Sequence, residues 1–192
     1  MAITSNVSSF LQVVKQGVRP NMFQVDISFP DADVDQTLVS YMCKSAVLPA
    51  SNIGVIEVPF RGRTVKIAGD RTFDNWSATF INDKEMKTRA YFEAWLKDIN
   101  THQANTANVI DPTAYGRTVI VRQLEKDAST GGDELRSYKL WYAFPTSASA
   151  IDLAYDSNDQ IEEFSIEFQY SYWTVGGDGD ESNAGRSGIA IP

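Results

Sequence analysis

The chain alternates apolar and polar residues in short runs, and a period of two marks strands with one buried face. Phe23-Gln24-Val25-Asp26-Ile27-Ser28-Phe29 alternates strictly, and a turn at Pro30-Asp31-Ala32-Asp33 leads to an expected partner strand over Leu38 to Lys44. Thr64-Val65-Lys66-Ile67 alternates again before Gly69-Asp70-Arg71, read as a turn, and Trp76-Ser77-Ala78-Thr79-Phe80 is the next strand. Arg117 to Glu125 sets Thr118, Ile120, Arg122 and Leu124 on one face and Val119, Val121 and Gln123 on the other. Leu135 to Phe144 reads as a strand stopped by Pro145, Ile151 to Ala154 as a short strand, and Tyr155 to Asp159 as a turn. The last strand is the clearest. Phe164, Ile166, Phe168, Tyr170 and Tyr172 face one way, and Ser165, Glu167, Gln169, Ser171 and Trp173 the other.

One segment carries a convincing helical period. Within Asp83 to Ile99, Phe92, Trp95, Leu96 and Ile99 recur at i, i+3, i+4 and i+7, a stripe expected to pack on a sheet. Asn82, with Glu85 three residues on, forms a variant of the capping box at its start. Val7 to Gln16 predicts a short amphipathic helix ended by Gly17 and Pro20. Thr101 to Tyr115 reads as a polar loop and Asp127 to Asp133 as a turn. Leu48 to Gly62, interrupted by prolines and glycines, reads as a long, partly extended loop with room for a hairpin. The total, roughly seven to nine strands and one main helix, predicts a mainly β chain, a sandwich or barrel with a helix on its flank.

A length of 192 residues suits a single domain, expected over 1–175, with a Gly/Asp/Ser-rich tail over 176–192. No apolar run is long enough to span a bilayer, so no membrane anchor is expected. The first residues lack the basic start and apolar core of a signal peptide, which predicts synthesis in the cytoplasm. The net charge of −8, from 25 acidic and 17 basic residues without a basic cluster, argues against tight sequence-specific DNA binding. It permits a surface past which DNA slides.

Candidate chemistry is sparse. Cys43 is the sole cysteine, which excludes an intrachain disulfide and a Cys-based zinc cage, and reads as a small buried apolar residue in a strand. His102, the sole histidine, reads as a surface residue past the helix end. Asp70 and Asp74, with Arg71 between them, are explained by turn formation and salt bridging more simply than by acid–base work. Asp178-Gly179-Asp180-Glu181-Ser182 begins with the oxygen spacing of a calcium loop, but Asn183 replaces its turn glycine and Ile189 its bidentate Glu. Neither a Walker loop nor G-x-S-x-G occurs. The expectation is a protein that is not an enzyme and uses no cofactor or metal.

Several segments, in order, carry a resemblance. They are Arg19-Pro20-Asn21-Met22-Phe23-Gln24-Val25, Cys43-Lys44-Ser45-Ala46-Val47-Leu48-Pro49-Ala50, and Ala68-Gly69-Asp70-Arg71-Thr72-Phe73-Asp74-Asn75-Trp76 followed by Asn82-Asp83. Ile120-Val121-Arg122-Gln123, Asp156-Ser157-Asn158-Asp159-Gln160-Ile161 and Tyr172-Trp173 complete the set. Across roughly residues 19–173 the chain resembles the tail-tube proteins of T-even-like contractile phages. It departs from them at Pro30–Gln36, near Asn105–Tyr115 and after Trp173.

The resemblance implies two packed antiparallel sheets with a flanking helix. It further implies hexameric rings, stacked into a tube, in which strands of six subunits join one barrel around a lumen. Implied partners are other copies of the chain, the tail sheath protein, and baseplate and tail-terminator proteins. Double-stranded DNA would pass without specific binding. The implied location is the virion tail, after assembly in the host bacterial cytoplasm. The strand Phe164–Trp173 would bury its aromatic face and offer Ser, Glu and Gln to the lumen. The loop at Leu48–Gly62 is the candidate ring-stacking contact, since Ile53, Val55, Ile56, Val58 and Phe60 make it too apolar for an idle linker. Two alternatives remain open at this stage: a tube subunit of a secretion or extracellular injection system that delivers proteins, and a monomeric ligand-binding barrel.

Overall fold

The computed structural model describes residues 7–14, 17–125 and 134–176. Its elements are α1 (Val7–Val14), β1 (Phe23–Ile27), α2 (Gln36–Met42), β2 (Cys43–Ala46), β3 (Asn52–Phe60), β4 (Arg63–Thr72), β5 (Trp76–Ile81), α3 (Lys87–Ile99), α4 (Pro112–Tyr115), β6 (Arg117–Leu124), β7 (Glu134–Ala148), β8 (Glu163–Gln169) and β9 (Tyr172–Val175). Strands run in the order β1-β6-β7-β8-β5-β2, with β9 joined to β7, and β3 with β4 forms a separate two-stranded arm. All pairings are antiparallel.

Strand β7 ties two antiparallel sheets together. Its first part lies between β6 and β9, while Phe144 to Ala148 pair with β8. Pro145, expected to stop this strand, instead occupies a register shift between Pro145 and Ser147, one of the few places where a sheet tolerates a proline. Tyr142 takes a positive φ of 55° just ahead of that switch. The two sheets close over Val25, Ile27, Val119, Val121 and Leu140 on one side and Trp76, Phe80, Phe164, Ile166 and Phe168 on the other. Helix α3 inserts Phe92 between them, with ring centroids 5.0 to 6.2 Å from those of Phe29, Phe80, Phe164 and Phe168.

Other boundaries also differ from the sequence reading. Leu38 to Lys44 is not one strand: Asp35 caps α2 by accepting from the Leu38 N–H at 3.1 Å, and β2 begins only at Cys43. Helix α3 starts at Lys87 rather than Asp83. Its capping acceptor is Asp83, bonded to the Thr88 N–H at 2.8 Å, whereas Asn82 donates to Glu162 and Glu85 pairs with Lys87. Gly69-Asp70-Arg71 does not turn but continues β4, and the turn falls at Arg61-Gly62, both with positive φ as a tight two-residue hairpin requires. Gly69 permits close pairing, because a Cβ there would lie 3.1 Å from the Gly54 carbonyl oxygen.

Ile151 to Ala154 forms no strand, and the expected loop at 101–115 ends in α4. The last strand breaks after Gln169. Ser171 donates its N–H to the Trp141 carbonyl, and Tyr172 turns away with β9 to pair with β7, leaving the core face of Phe164, Ile166, Phe168 and Tyr170. The expected turn at Asp127 to Asp133 and the incomplete calcium pattern at Asp178–Ser182 lie outside the described residues.

Candidate assembly surface

Among the described residues, reactive groups do not converge. His102 is exposed. Burial pushes the Cys43 thiol up to about 12, against the smaller opposing effect of its contact with the Ser45 backbone, so it stays protonated and unreactive at neutral pH. Asp70 and Asp74 are exposed, and Asp74 accepts from the Asn52 side-chain amide at 2.7 Å, which fastens the start of β3. Among the described residues no group of three or more His, Cys, Asp or Glu is placed to hold a metal. No described helix is long and apolar enough to cross a membrane.

The feature that needs an explanation is the β3–β4 arm. Every residue of β3 is exposed, and every residue of β4 except Gly69. The register sorts its side chains onto two faces. Ile56 opposite Ile67, Val58 opposite Val65, and Phe60 next to the turn form an apolar face, while Glu57 opposite Lys66 and Pro59 opposite Thr64 form a mixed one. Thus Ile56, Val58 and Phe60, three of the five candidate residues, share one face. Val55 lies on the mixed face opposite Ala68, and Ile53 sits opposite Arg71 beyond a register shift. Val65 and Ile67 were missed as part of the surface. Their alternation was visible in the sequence, but what they pair with was not.

An isolated two-stranded hairpin is marginal in water, and this one exposes five large apolar side chains on one face, each 42% to 62% exposed. Covering them would contribute about 1 kcal/mol or more per side chain. The arm leaves from an anchored base. Trp76 donates its indole N–H to the Val47 carbonyl at 2.6 Å, and Tyr170 and Trp173 both donate to the Ala50 carbonyl, at 3.4 and 3.1 Å. Burial, with the nearby Asp74 charge, holds the Tyr170 phenol above its ordinary value, which keeps this donor protonated.

A second surface is largely polar. The outward face of β5 and β8 carries Ser77 opposite Glu167 and Thr79 opposite Ser165, with Gln169 beyond, while Ala78, Phe80, Phe164, Ile166 and Phe168 point inward. Lys44 is neutralised by Glu163 at 2.5 Å, so Glu167 leaves this face slightly acidic. Among the described residues β1, β2 and β9 each have a single strand partner, which leaves edge hydrogen bonds available to another chain.

A layered β subunit with open strand edges and an apolar arm that no described residue covers has the make-up of a subunit that pairs with other chains. The chain belongs to the phage tail tube protein family, whose profile matches residues 18–176. It is 36% identical over 155 residues to tail tube protein gp19 of Enterobacteria phage T4, covering 81% of this chain and 90% of that protein. It is 28% identical to the tail tube protein of Serratia phage KSP90, covering 79% and 85%. Among solved structures, a chain of the sheath–tube complex of the PVC extracellular contractile injection system superposes with a TM-score of 0.61 at 16% identity, covering 90% of this chain and 98% of that one. A chain of the tube-terminating cap of the anti-feeding prophage gives 0.61 at 20% identity, covering 91% and 98%. At these identities the structural likeness speaks for the fold alone. Tail tube proteins are virion components, so the family also gives the kind of particle to which the chain belongs.

Proposed function

We propose that the chain polymerises as stacked hexameric rings into the inner tube of a contractile tail, the conduit for DNA ejection. One domain, residues 1–175, carries the assembly, with 176–192 as an appended tail. The observation that carries this reading is the β3–β4 arm, whose apolar face no part of the described chain covers. A second subunit in the next ring covers it, and rotational closure within each ring joins the open edges of neighbouring sheets. The hydroxyl-rich face of β5 and β8 lines the lumen, where it offers no unpaired cation to phosphate, so DNA passes without being held.

Sheath, baseplate and tail-terminator proteins are the remaining partners, met in the virion tail after assembly in the host cytoplasm. The curated relatives are phage proteins at up to 36% identity, which favours DNA over protein as cargo.

Val58→Asp tests the arm. It places a charge on the apolar face, where burial without a partner costs several kcal/mol, yet touches no core residue. The expected result is a folded monomer, by circular dichroism and sedimentation, that no longer forms tubes. Tubes of normal length from this variant would contradict the assignment.

A further inference from the structure

From two surfaces that the arm and the lumen do not use, we infer that α1 of one subunit docks into the cleft formed by the 150–163 loop of a second copy of this chain. The inference rests on the assembly proposed above but concerns a different contact.

Helix α1 sets Val7, Phe10, Leu11 and Val14 at i, i+3, i+4 and i+7, the spacing of one apolar stripe. All four are exposed, by 71%, 66%, 50% and 51%. An eight-residue helix is marginal on its own in water, and its stability comes from covering such a stripe. Among the described residues, no other part of the subunit covers the stripe, which stays half or more exposed. The segment between Val14 and Phe23 spans at most about 25–30 Å when extended, enough to carry the helix onto a neighbour.

The loop between β7 and β8 presents the complementary shape. It encloses a cleft of about 650 Å³ lined by Ile151, Leu153, Ala154 and Ile161, with Asp152 and Glu162 at its polar parts. Leu153 is 86% exposed, Ile161 69%, and the adjacent Tyr155 fully so. Apolar side chains so displayed around a concavity mark an interaction site.

Charge selects the occupant. Between Ser149 and Phe164 the sequence has Asp152, Asp156, Asp159, Glu162 and Glu163 and no basic residue. Glu163 is paired with Lys44, whereas Asp152, Asp156 and Asp159 are exposed and make no ion pair among the described residues. The stretch Val7–Val14 has no charged side chain and is followed in sequence by Lys15 and Arg19, with Arg19 exposed and unpaired among the described residues. An apolar helix with basic residues after it thus meets a cleft that combines a few exposed apolar side chains with a largely polar, acidic lining. A second copy brings both at the high local concentration of a polymer.

The test uses the full chain in a Cys43→Ala background. Phe10→Cys subunits are mixed with Ile161→Cys subunits, assembled and oxidised. The expected product in tubes is a disulfide-linked dimer on a non-reducing gel, absent when either variant is oxidised alone. Tubes without that dimer would overturn the inference while leaving the assembly reading intact. A Phe10→Cys/Ile161→Cys chain that closes only within itself would overturn it as well, by showing docking within one subunit. Failure of the unsubstituted chain to assemble would instead remove the reading beneath it. Charge reversal gives an independent check free of engineered thiols. Arg19→Glu should raise the concentration needed for assembly severalfold, and Asp152→Lys in the same chain should restore it. No change on reversal would count against the docking.

Discussion

Asp83 accepts the Thr88 N–H at 2.8 Å and so satisfies a donor in the first turn of α3 that has no partner within the helix. Desolvation alone would raise the pKa of this carboxyl, but the N–H groups of Thr88 and Lys87 favour the charged form and together hold it below the ordinary 3.8. A carboxyl depressed in the folded state contributes stability that is fully present above its unfolded pKa and is lost as pH falls through the folded one. Asp83→Asn removes the charge beside the start of α3 and is therefore expected to be less stable than the parent at pH 7, by about 0.3–1 kcal/mol. The gap should narrow as pH falls from 7 past the unfolded pKa of about 3.9 and on through the lower folded one. Denaturant unfolding across that range checks it, and a gap independent of pH would contradict the capping role. Sequence spacing pointed to Asn82 and Glu85 for this work. The backbone decided otherwise, because Met86 adopts a left-handed φ of 55° and delays the helix to Lys87, bringing Asp83 into reach.

Among the elements, period-two patterning was a good guide wherever one face is buried and the other is not. β5 and β8 alternate buried and half-buried or exposed residues along their whole length, and β1 follows the predicted alternation. The pattern misled where tertiary pairing overrides local signals. In α2 the shielded residues Leu38, Val39 and Met42 share a helical stripe too short to stand out. β7 passes through Pro145 because it changes sheets there, and β9 departs because Trp141 captures the Ser171 N–H. The stripe on α3 was legible, and its importance now has a geometry, since Phe92 touches aromatic rings on β5, on β8 and just after β1. Phe92→Ala should destabilise the subunit by about 3–5 kcal/mol, as loss of a buried aromatic with little room to collapse does. A shift in unfolding free energy below 1 kcal/mol would mean that α3 merely flanks the core.

For the whole molecule, the division between what the sequence reveals and what it hides follows from where the energy is spent. Core faces have partners inside the chain, so their alternation is meaningful residue by residue. The proposed assembly surface would find its partners in other copies, so Val55 and Ile56 look alike in sequence although the register places them on opposite faces. Ordered family motifs supplied the identity that periodicity lacked. They match where the fold is held, at Ala50, Trp76 and Trp173, and also in the exposed loop at Asp156–Ile161, but not at Pro30–Gln36 or near Asn105–Tyr115. The central claim is that the uncovered arm and open edges exist to be filled by copies of the same chain. Negative-stain electron microscopy of the purified chain over rising concentration, with and without baseplate complexes to start growth, tests it most directly. The account predicts six-fold rings and hollow tubes of uniform width. Monomers that persist at every concentration even beside baseplates would contradict it.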